Sequence, residues 1–277
     1  LMKNLRIIDQ AVQNKGQVIG LPTGFKQLDE KTSGLQPSDL IIVAARPGMG
    51  KTAFALNIAQ QSAVKAGASV LIFSLEMSQE QLGQRLIAMQ ARVESEKLKK
   101  GTLDLKDWDR INFALNELNN TKIVIDDTPG ISIMEMRNKC RRLKAEQGLD
   151  LIVVDYLQLM TFDGRADSRQ QEISALSRHL KLLAREMNCP VIVLSQLSRA
   201  PELRQDKRPM LSDLRESGSI EQDADIVMFL YRDDYYNENT EKPGVCEINI
   251  AKHRSGPTDR IDLTWVARYT KFSDKAL

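Results

Sequence analysis

The segment Arg46-Pro47-Gly48-Met49-Gly50-Lys51-Thr52 gathers residues suited to holding a polyphosphate. It lies between an apolar run and a helical pattern, the context in which a glycine-rich loop wraps a phosphate. Backbone N–H groups of Gly48, Met49, Gly50, Lys51 and Thr52, with Ala53 in the same first helical turn, can surround a β-phosphate at the positive end of a helix dipole. Lys51 would reach the β/γ-phosphates of ATP. Thr52 would offer its hydroxyl to Mg2+, an ion that keeps much of its water shell and takes few protein ligands. Where the G-x-x-x-x-G-K-T pattern begins with glycine, this chain has Ala45. With an ordinary negative φ at Ala45 the loop still closes. A helix-starting Gly-Lys-Thr without any ligand is the plain alternative, and the flanking elements speak against it.

Three further residues stand at the ends of apolar runs. Asp155 closes Leu151-Ile152-Val153-Val154, so it should meet the loop at the carboxyl edge of a parallel sheet and join the Mg2+ shell. Glu76 follows Ser69 to Ser74 and is expected to orient or deprotonate an attacking water. Alone, Glu76 reads better as a first-turn carboxylate favouring the next helix's dipole; beside the Lys-Thr loop and Asp155 it does not. Gln196, after Val191 to Ser195, could sense a γ-phosphate or be a satisfied strand-end amide, and spacing does not separate the two.

Positioning these groups requires strands that end at one edge. After the turn signal Pro22-Thr23-Gly24, continuous apolar runs at Leu40 to Ala45, Ser69 to Ser74, Ile123 to Ile125, Leu151 to Val154, Pro190 to Ser195 and Asp225 to Leu230 read as buried parallel strands. Helical patterns separate them. One runs from about Gly50 to Ala66, one starts at Ser78, one follows Ser132, and one carries Ile173, Leu176, Leu180, Leu183 and Met187 at 3–4 spacing. Two final runs, Val245 to Lys252 and Arg260 to Val266, leave no room for helices and pair most simply as a hairpin. The expected fold is α/β: a mainly parallel sheet with helices on both faces and an antiparallel C-terminal extension, without internal repeat or second domain.

Composition excludes several other classes. With 39 basic against 37 acidic residues the net charge is +2, so any nucleic-acid footprint must be local. Cys140, Cys189 and Cys246 are widely spaced and there are only two histidines, which removes a zinc cluster and suits a reducing compartment. No apolar run reaches the roughly 18 residues of a membrane span, and no signal-peptide pattern opens the chain; a cytoplasmic location without membrane association is expected. Leu5, Ile8 and Val12 form a short stripe before Gly16, either the middle of a longer helix or an ordinary terminal one.

Ala45 to Thr52, Ser74-Leu75-Glu76-Met77, Val154-Asp155-Tyr156-Leu157-Gln158-Leu159-Met160, Leu194-Ser195-Gln196-Leu197-Ser198-Arg199 and Ser212-Asp213-Leu214-Arg215-Glu216-Ser217-Gly218-Ser219-Ile220 resemble, in order, consecutive motifs of bacterial replicative (DnaB-type) DNA helicases. The likeness runs from about Gly20 to Val266. It implies a RecA-like motor, a homohexameric ring, 5′→3′ movement on single-stranded DNA and ATP sites at subunit boundaries. It also implies that residues 1–19 are a truncated linker helix and connector, that 20–277 is the motor, and that an N-terminal collar domain is absent. Helicase loader and primase would be partners of a full-length protein.

By the same resemblance Arg215, Glu216 and Gly218 belong to a lumenal loop holding DNA, with Arg165 in a second loop at Asp163-Gly164-Arg165. Neither Asp163 to Arg169 nor Arg199 to Asp225 contains an aromatic residue, which suits contact with phosphates more than base stacking. Without the resemblance both would read as polar surface loops. Lys252 and Arg254 fall on alternate positions and should point to one side. The resemblance sends them, in trans, to a neighbour's γ-phosphate, whereas composition favours a charged edge hairpin that discourages aggregation. Arg137, Lys139, Arg141, Arg142 and Lys144, opposite Ile133, Met136, Cys140 and Leu143, read as a solvated helix face without a site. The rival functions are another RecA-like DNA-dependent ATPase, such as a filament-forming recombinase, and a non-catalytic ATP-binding scaffold.

Overall fold

The computed structural model describes residues 18–161 and 168–275, with the side chains of residues 215–218 outside that description. Nine strands form one sheet in the order β3-β2-β4-β5-β1-β6-β7-β8-β9. They are β1 Leu40–Ala45, β2 Ser69–Ser74, β3 Lys122–Asp126, β4 Leu151–Asp155, β5 Val191–Gln196, β6 Ile226–Tyr231, β7 Val245–His253, β8 Asp259–Val266 and β9 Lys271–Asp274. The first six are mutually parallel, and β7, β8 and β9 continue antiparallel from β6. Every residue of β1, β2, β4 and β6 is buried, which is why those segments are apolar without alternation.

Helices cover both faces, as the strand–helix alternation requires. Phe54, Ile58 and Ala59 of α2 (Lys51–Ala66, after the short α1 at Lys26–Thr32) pack with Ile41, Val43 and Ile192 on one side. Met136 and Cys140 of α6 (Ile133–Gln147) and Leu176 and Leu180 of α7 (Arg169–Met187) pack with Ile42, Val154 and Val193 on the other. Local signals set the boundaries. Ser78 caps α3 (Gln79–Ala91) through a reciprocal box with Gln81, and Ser132 caps α6 through one with Glu135. Among the basic residues of α6, Arg137 and Arg141 pair with Glu186, and Lys139 pairs with Asp126.

The last two expected strands do pair antiparallel, and two features lie beyond the sequence reading. The antiparallel extension has three strands, because β9 adds to β8. Four residues with one deeply buried side chain, Phe272, are too short to announce a strand, yet Phe272 packs at 4.6 Å from Trp265 and 5.6 Å from Phe54 between ring centroids. The region between β2 and β3 also holds α4 (Ser95–Lys100) and α5 (Leu105–Asn119), whose Ile111 and Ala114 form a small separate core with Ala91 and Val93. A last helix, α8 (Gly218–Asp223), follows a 3-10 helix at Leu211–Ser217. Residues 1–17 and Arg165 lie outside the described residues.

Candidate nucleotide site

The strand order brings the ends of β1, β2, β4 and β5 to one edge. Ala45 is level with Gln196 and Ser74 with Asp155, so a single cleft receives the loop after β1 and the residues ending its neighbours. Its volume is about 300 Å3, and Gly48, Lys51, Thr52, Glu76, Gln196 and Arg85 are among its walls. Ala45 is a fully buried strand residue, so the missing first glycine leaves the backbone unchanged there. Gly48 and Gly50 take φ of +80° and +93°, where a side chain is strained. These two turns aim the loop at the start of α2. Arg46 anchors the loop from below, donating to both carboxylate oxygens of Glu202 and to the Leu197 carbonyl. Met49 is buried, with its N–H donating to the Arg46 carbonyl at 3.4 Å, and Ala53, also buried, borders the cleft.

Thr52 Oγ1 donates to Asp155 Oδ2 at 2.7 Å. The other oxygen, Asp155 Oδ1, is buried without a hydrogen-bond partner among the described residues. An orphaned carboxylate oxygen beside a hydroxyl is a donor pair that fits a hard divalent cation, and Mg2+ asks for little more from the protein. Burial pushes the Asp155 carboxyl up, against the Thr52 hydrogen bond and the Lys51 charge. Burial likewise pushes the Lys51 ammonium down, against attraction from Asp155 and Glu76. Both groups are thus under-compensated, which an anionic polyphosphate would correct for Lys51 and a metal cation for Asp155. Lys51 Nζ rests 5.1 Å from the centre of the Tyr156 ring, which holds the ammonium over the cleft.

Glu76 is solvent-exposed at the cleft wall, and Gln196 enters as the last residue of β5, one position inside the strand. Sequence reading missed Arg85. It projects from α3 into the cleft, where burial lowers the pKa of its guanidinium against the pull of Asp155 and Glu76. Its sequence signal is weak, since an arginine seven residues into a helix reads as surface. Lys252 and Arg254 do share one side, and neither lines this cleft of its own chain. Lys252 donates to the carbonyls of Glu221 and Ala224, and Arg254 to that of Gln222, all at the C-terminal end of α8. Arg215, Glu216 and Gly218 fall where the 3-10 helix passes into α8.

A phosphate loop on the central strand of such a sheet, with carboxylates at the neighbouring strand ends, defines a RecA-like P-loop nucleotide-binding domain. The solved RadB recombinase shares that fold at a TM-score of 0.56 and 20% identity, over 92% of this chain and 100% of that one. The model described as DnaB-like helicase C terminal domain matches residues 20–274, and the chain belongs to that family. It is 57% identical to the replicative DNA helicase DnaC of Bacillus subtilis over 96% of this chain and 59% of the relative. It is 56% identical to the replicative DNA helicase DnaB of Geobacillus stearothermophilus over the same shares. The chain thus spans about three-fifths of the length of these curated relatives. A solved structure of an isolated ATPase domain superposes with a TM-score of 0.95 at 41% identity, covering 99% of this chain and 98% of the other. A DnaB-like replicative helicase solved with regard to its interactions with primase gives 0.93 at 41%, covering 100% and 67%.

Proposed function

We propose that this chain is the ATP-hydrolysing motor of a ring-forming replicative DNA helicase, acting as a homohexamer on single-stranded DNA in the 5′→3′ sense. The observation that carries the reading is the pairing of Thr52 with Asp155, whose second oxygen is orphaned, in the cleft that also holds Lys51 and Glu76. Gly48 to Ala53 hold the phosphates through their backbone, and Lys51 neutralises charge on them. Thr52 and Asp155 would hold a magnesium ion, which would supply positive charge to offset that of the phosphates. Glu76 holds the attacking water and receives its proton, while Gln196 hydrogen-bonds the γ-phosphate side of the cleft.

Arg254, with Lys252 beside it, serves a neighbouring subunit's site in trans, so the cleft is complete only in the ring. Arg215, Glu216 and Gly218, with Arg165, hold the DNA backbone. Loader and primase are partners of the longer protein, which acts in the cytoplasm. No described helix is long and apolar enough to cross a membrane.

Glu76→Gln tests the reading. Losing the proton acceptor should lower turnover by about 10²–10³, the usual cost of one transition-state group, while nucleotide binding persists. Turnover near the parental level in Glu76→Gln would remove Glu76 from its role. Electron microscopy with ATP separates a closed ring from a recombinase-like filament.

A further inference from the structure

We propose that Gln158 is a positioning residue that couples the nucleotide-facing end of β5 to the elements assigned to DNA, a role that rests on the motor reading above. Gln158 sits on the one-turn 3-10 helix Leu157–Leu159 that follows Asp155. Its side-chain amide grips the peptide of Gln196 from both sides. Nε2 donates to the Gln196 carbonyl at 3.3 Å, and Oε1 accepts from the Gln196 N–H at 3.3 Å. Nε2 also donates to Ser195 Oγ at 3.0 Å, a hydroxyl that is buried. Gln196 is therefore held by a side chain from the 3-10 helix that follows the neighbouring strand β4, and the wall it forms in the nucleotide cleft is tied to Gln158.

The other end of the linkage leads away from the nucleotide. The main-chain carbonyl of Gln158 accepts from the Arg169 guanidinium, in the first turn of α7. In turn α7 is tied to α8, since Ser219 Oγ donates to Ser174 Oγ at 2.7 Å and Ser177 Oγ to Asp223. Helix α8 follows directly on Arg215 to Ser217. One contiguous set of hydrogen bonds thus runs from Gln196 through Gln158, α7 and α8 to the residues assigned to DNA.

Room for movement is present beside this path. A cavity of about 250 Å3 has Gln158, Ser195 and Gln196 on one wall and Ile173, Asp213 and Leu214 on another. Gln196 borders both this cavity and the nucleotide cleft. This pocket is half open to solvent, so the strand end and the 3-10 helix Leu211–Ser217 are not packed together across it and have room to change their separation. A γ-phosphate that draws on Gln196 shifts Gln158, and with it α7 and the cavity's far wall. Hydrogen bonds alone do not establish coupling; a change in linked binding equilibria does.

The test measures that linkage. The affinity of the 277-residue chain for a fluorescein-labelled oligo(dT) is read by anisotropy with and without magnesium ATPγS. Parental chain should show a ratio of the two within the roughly 5–150-fold typical of coupled sites. Gln158→Ala should bring that ratio to within about twofold of unity. Gln158→Glu keeps an acceptor for the Gln196 N–H but loses both donated bonds, and should also reduce the ratio. Reciprocity supplies a second readout, because the effect of oligo(dT) on ATPγS affinity must shrink by the same factor. A cooperative urea transition confirms that each variant is folded, and Gln158→Glu carries the test if Gln158→Ala is not. A parental ratio retained in a folded variant overturns the inference. A ratio of unity in the parental chain overturns the motor reading and the inference with it.

Discussion

Gly48 and Gly50 look equivalent in the loop pattern, but alanine at the two positions should fail in different ways. Both glycines have φ beyond +75°, a conformation that costs an L-residue about 1–2 kcal/mol. A Cβ at Gly48 would come 2.8 Å from Tyr235 Cε2, and one at Gly50 would come 3.0 Å from Phe272 Cζ. The two neighbours differ in freedom. Tyr235 is 51% exposed and can swing away, whereas Phe272 is 1% exposed and wedged between Phe54 and Trp265. Gly48 is itself exposed, so alanine there lets the empty loop relax to an ordinary φ. Its cost then appears when the nucleotide pulls the loop back, as about a 5–30-fold weaker affinity at 1.4 kcal/mol per decade. Gly50 is the N-cap of α2 and its carbonyl accepts from Phe54 N–H at 2.8 Å, so it cannot relax alone. There the backbone strain adds to roughly 1–3 kcal/mol of overpacking, and the loss of about 2–5 kcal/mol falls on the stability of the fold. Titration calorimetry with magnesium ATPγS and urea unfolding on both variants separate the two quantities. Adding Tyr235→Ala to Gly48→Ala should not restore affinity, because the backbone strain remains. Full rescue by Tyr235→Ala, or a large stability loss in Gly48→Ala at parental affinity, would refute the argument.

Asp39 gives a prediction in pH. Burial and the nearby Asp225 push its carboxyl up to about 6, against Lys181 and Arg254. A raised folded-state pKa means that ionised Asp39 costs stability, so this contribution falls as pH climbs from about 4 to 6 and stays lost above. Two units would be worth nearly 3 kcal/mol at about 1.4 kcal/mol each, and solvent screening at a partly exposed site leaves roughly 1–2. Urea melts should therefore show Asp39→Asn more stable than the parent at about pH 8 and equal to it at about pH 4; equality at both would dismiss the strain. Arg254→Ala and Glu76→Gln subunits should each lose hydrolysis, by about 10³–10⁵-fold for an arginine finger, yet regain part of it when mixed. No recovery at any ratio, with subunit exchange verified, would return Arg254 to a role within its own chain.

Asp155 and Gln196 were legible because each ends a buried parallel strand, with Glu76 two residues past another, and continuous apolar runs mark such strands in any sequence. Glu76, Asp155 and Gln196 gather for that reason alone. What stayed hidden was set by tertiary contact. Arg85 belongs to the site only because α3 folds back over the cleft, and nothing in Gln84-Arg85-Leu86 reports that approach. The strand β9 was missed because its one strong signal, Phe272, acquires meaning only against Phe54 and Trp265. Gln158 lies inside a quoted motif, yet its grip on Gln196 depends on β4 and β5 being neighbours in the sheet although far apart in the chain. Helix caps behaved oppositely, since Ser78 with Gln81 and Ser132 with Glu135 are local and were readable as starts.

Lys252 and Arg254 were paired in the sequence by their alternation, and the structure separates what they can do. Helix α8 has six residues, and the carbonyls of its last turn lack a partner within the helix and need donors from elsewhere. Lys252 supplies one at Glu221 and also donates to the carbonyl of Ala224 just past the helix, contacts that brace the end of α8. Arg254 spends one nitrogen on the Gln222 carbonyl and keeps its Nε 3.8 Å from Asp225, at 47% side-chain exposure. A guanidinium has five N–H donors in a fixed fork, so it can turn part of that fork outward without abandoning α8. Lys252 has three ammonium donors on one nitrogen, and the Glu221, Gln222 and Ala224 carbonyls take them up. The chemistry of the two side chains thus favours Arg254 as the group that crosses to a neighbour and Lys252 as the brace that fixes the end of α8. Since α8 follows directly on Arg215 and Glu216, proposed to hold DNA, a neighbour proposed to meet Arg254 would act on the helix next to them.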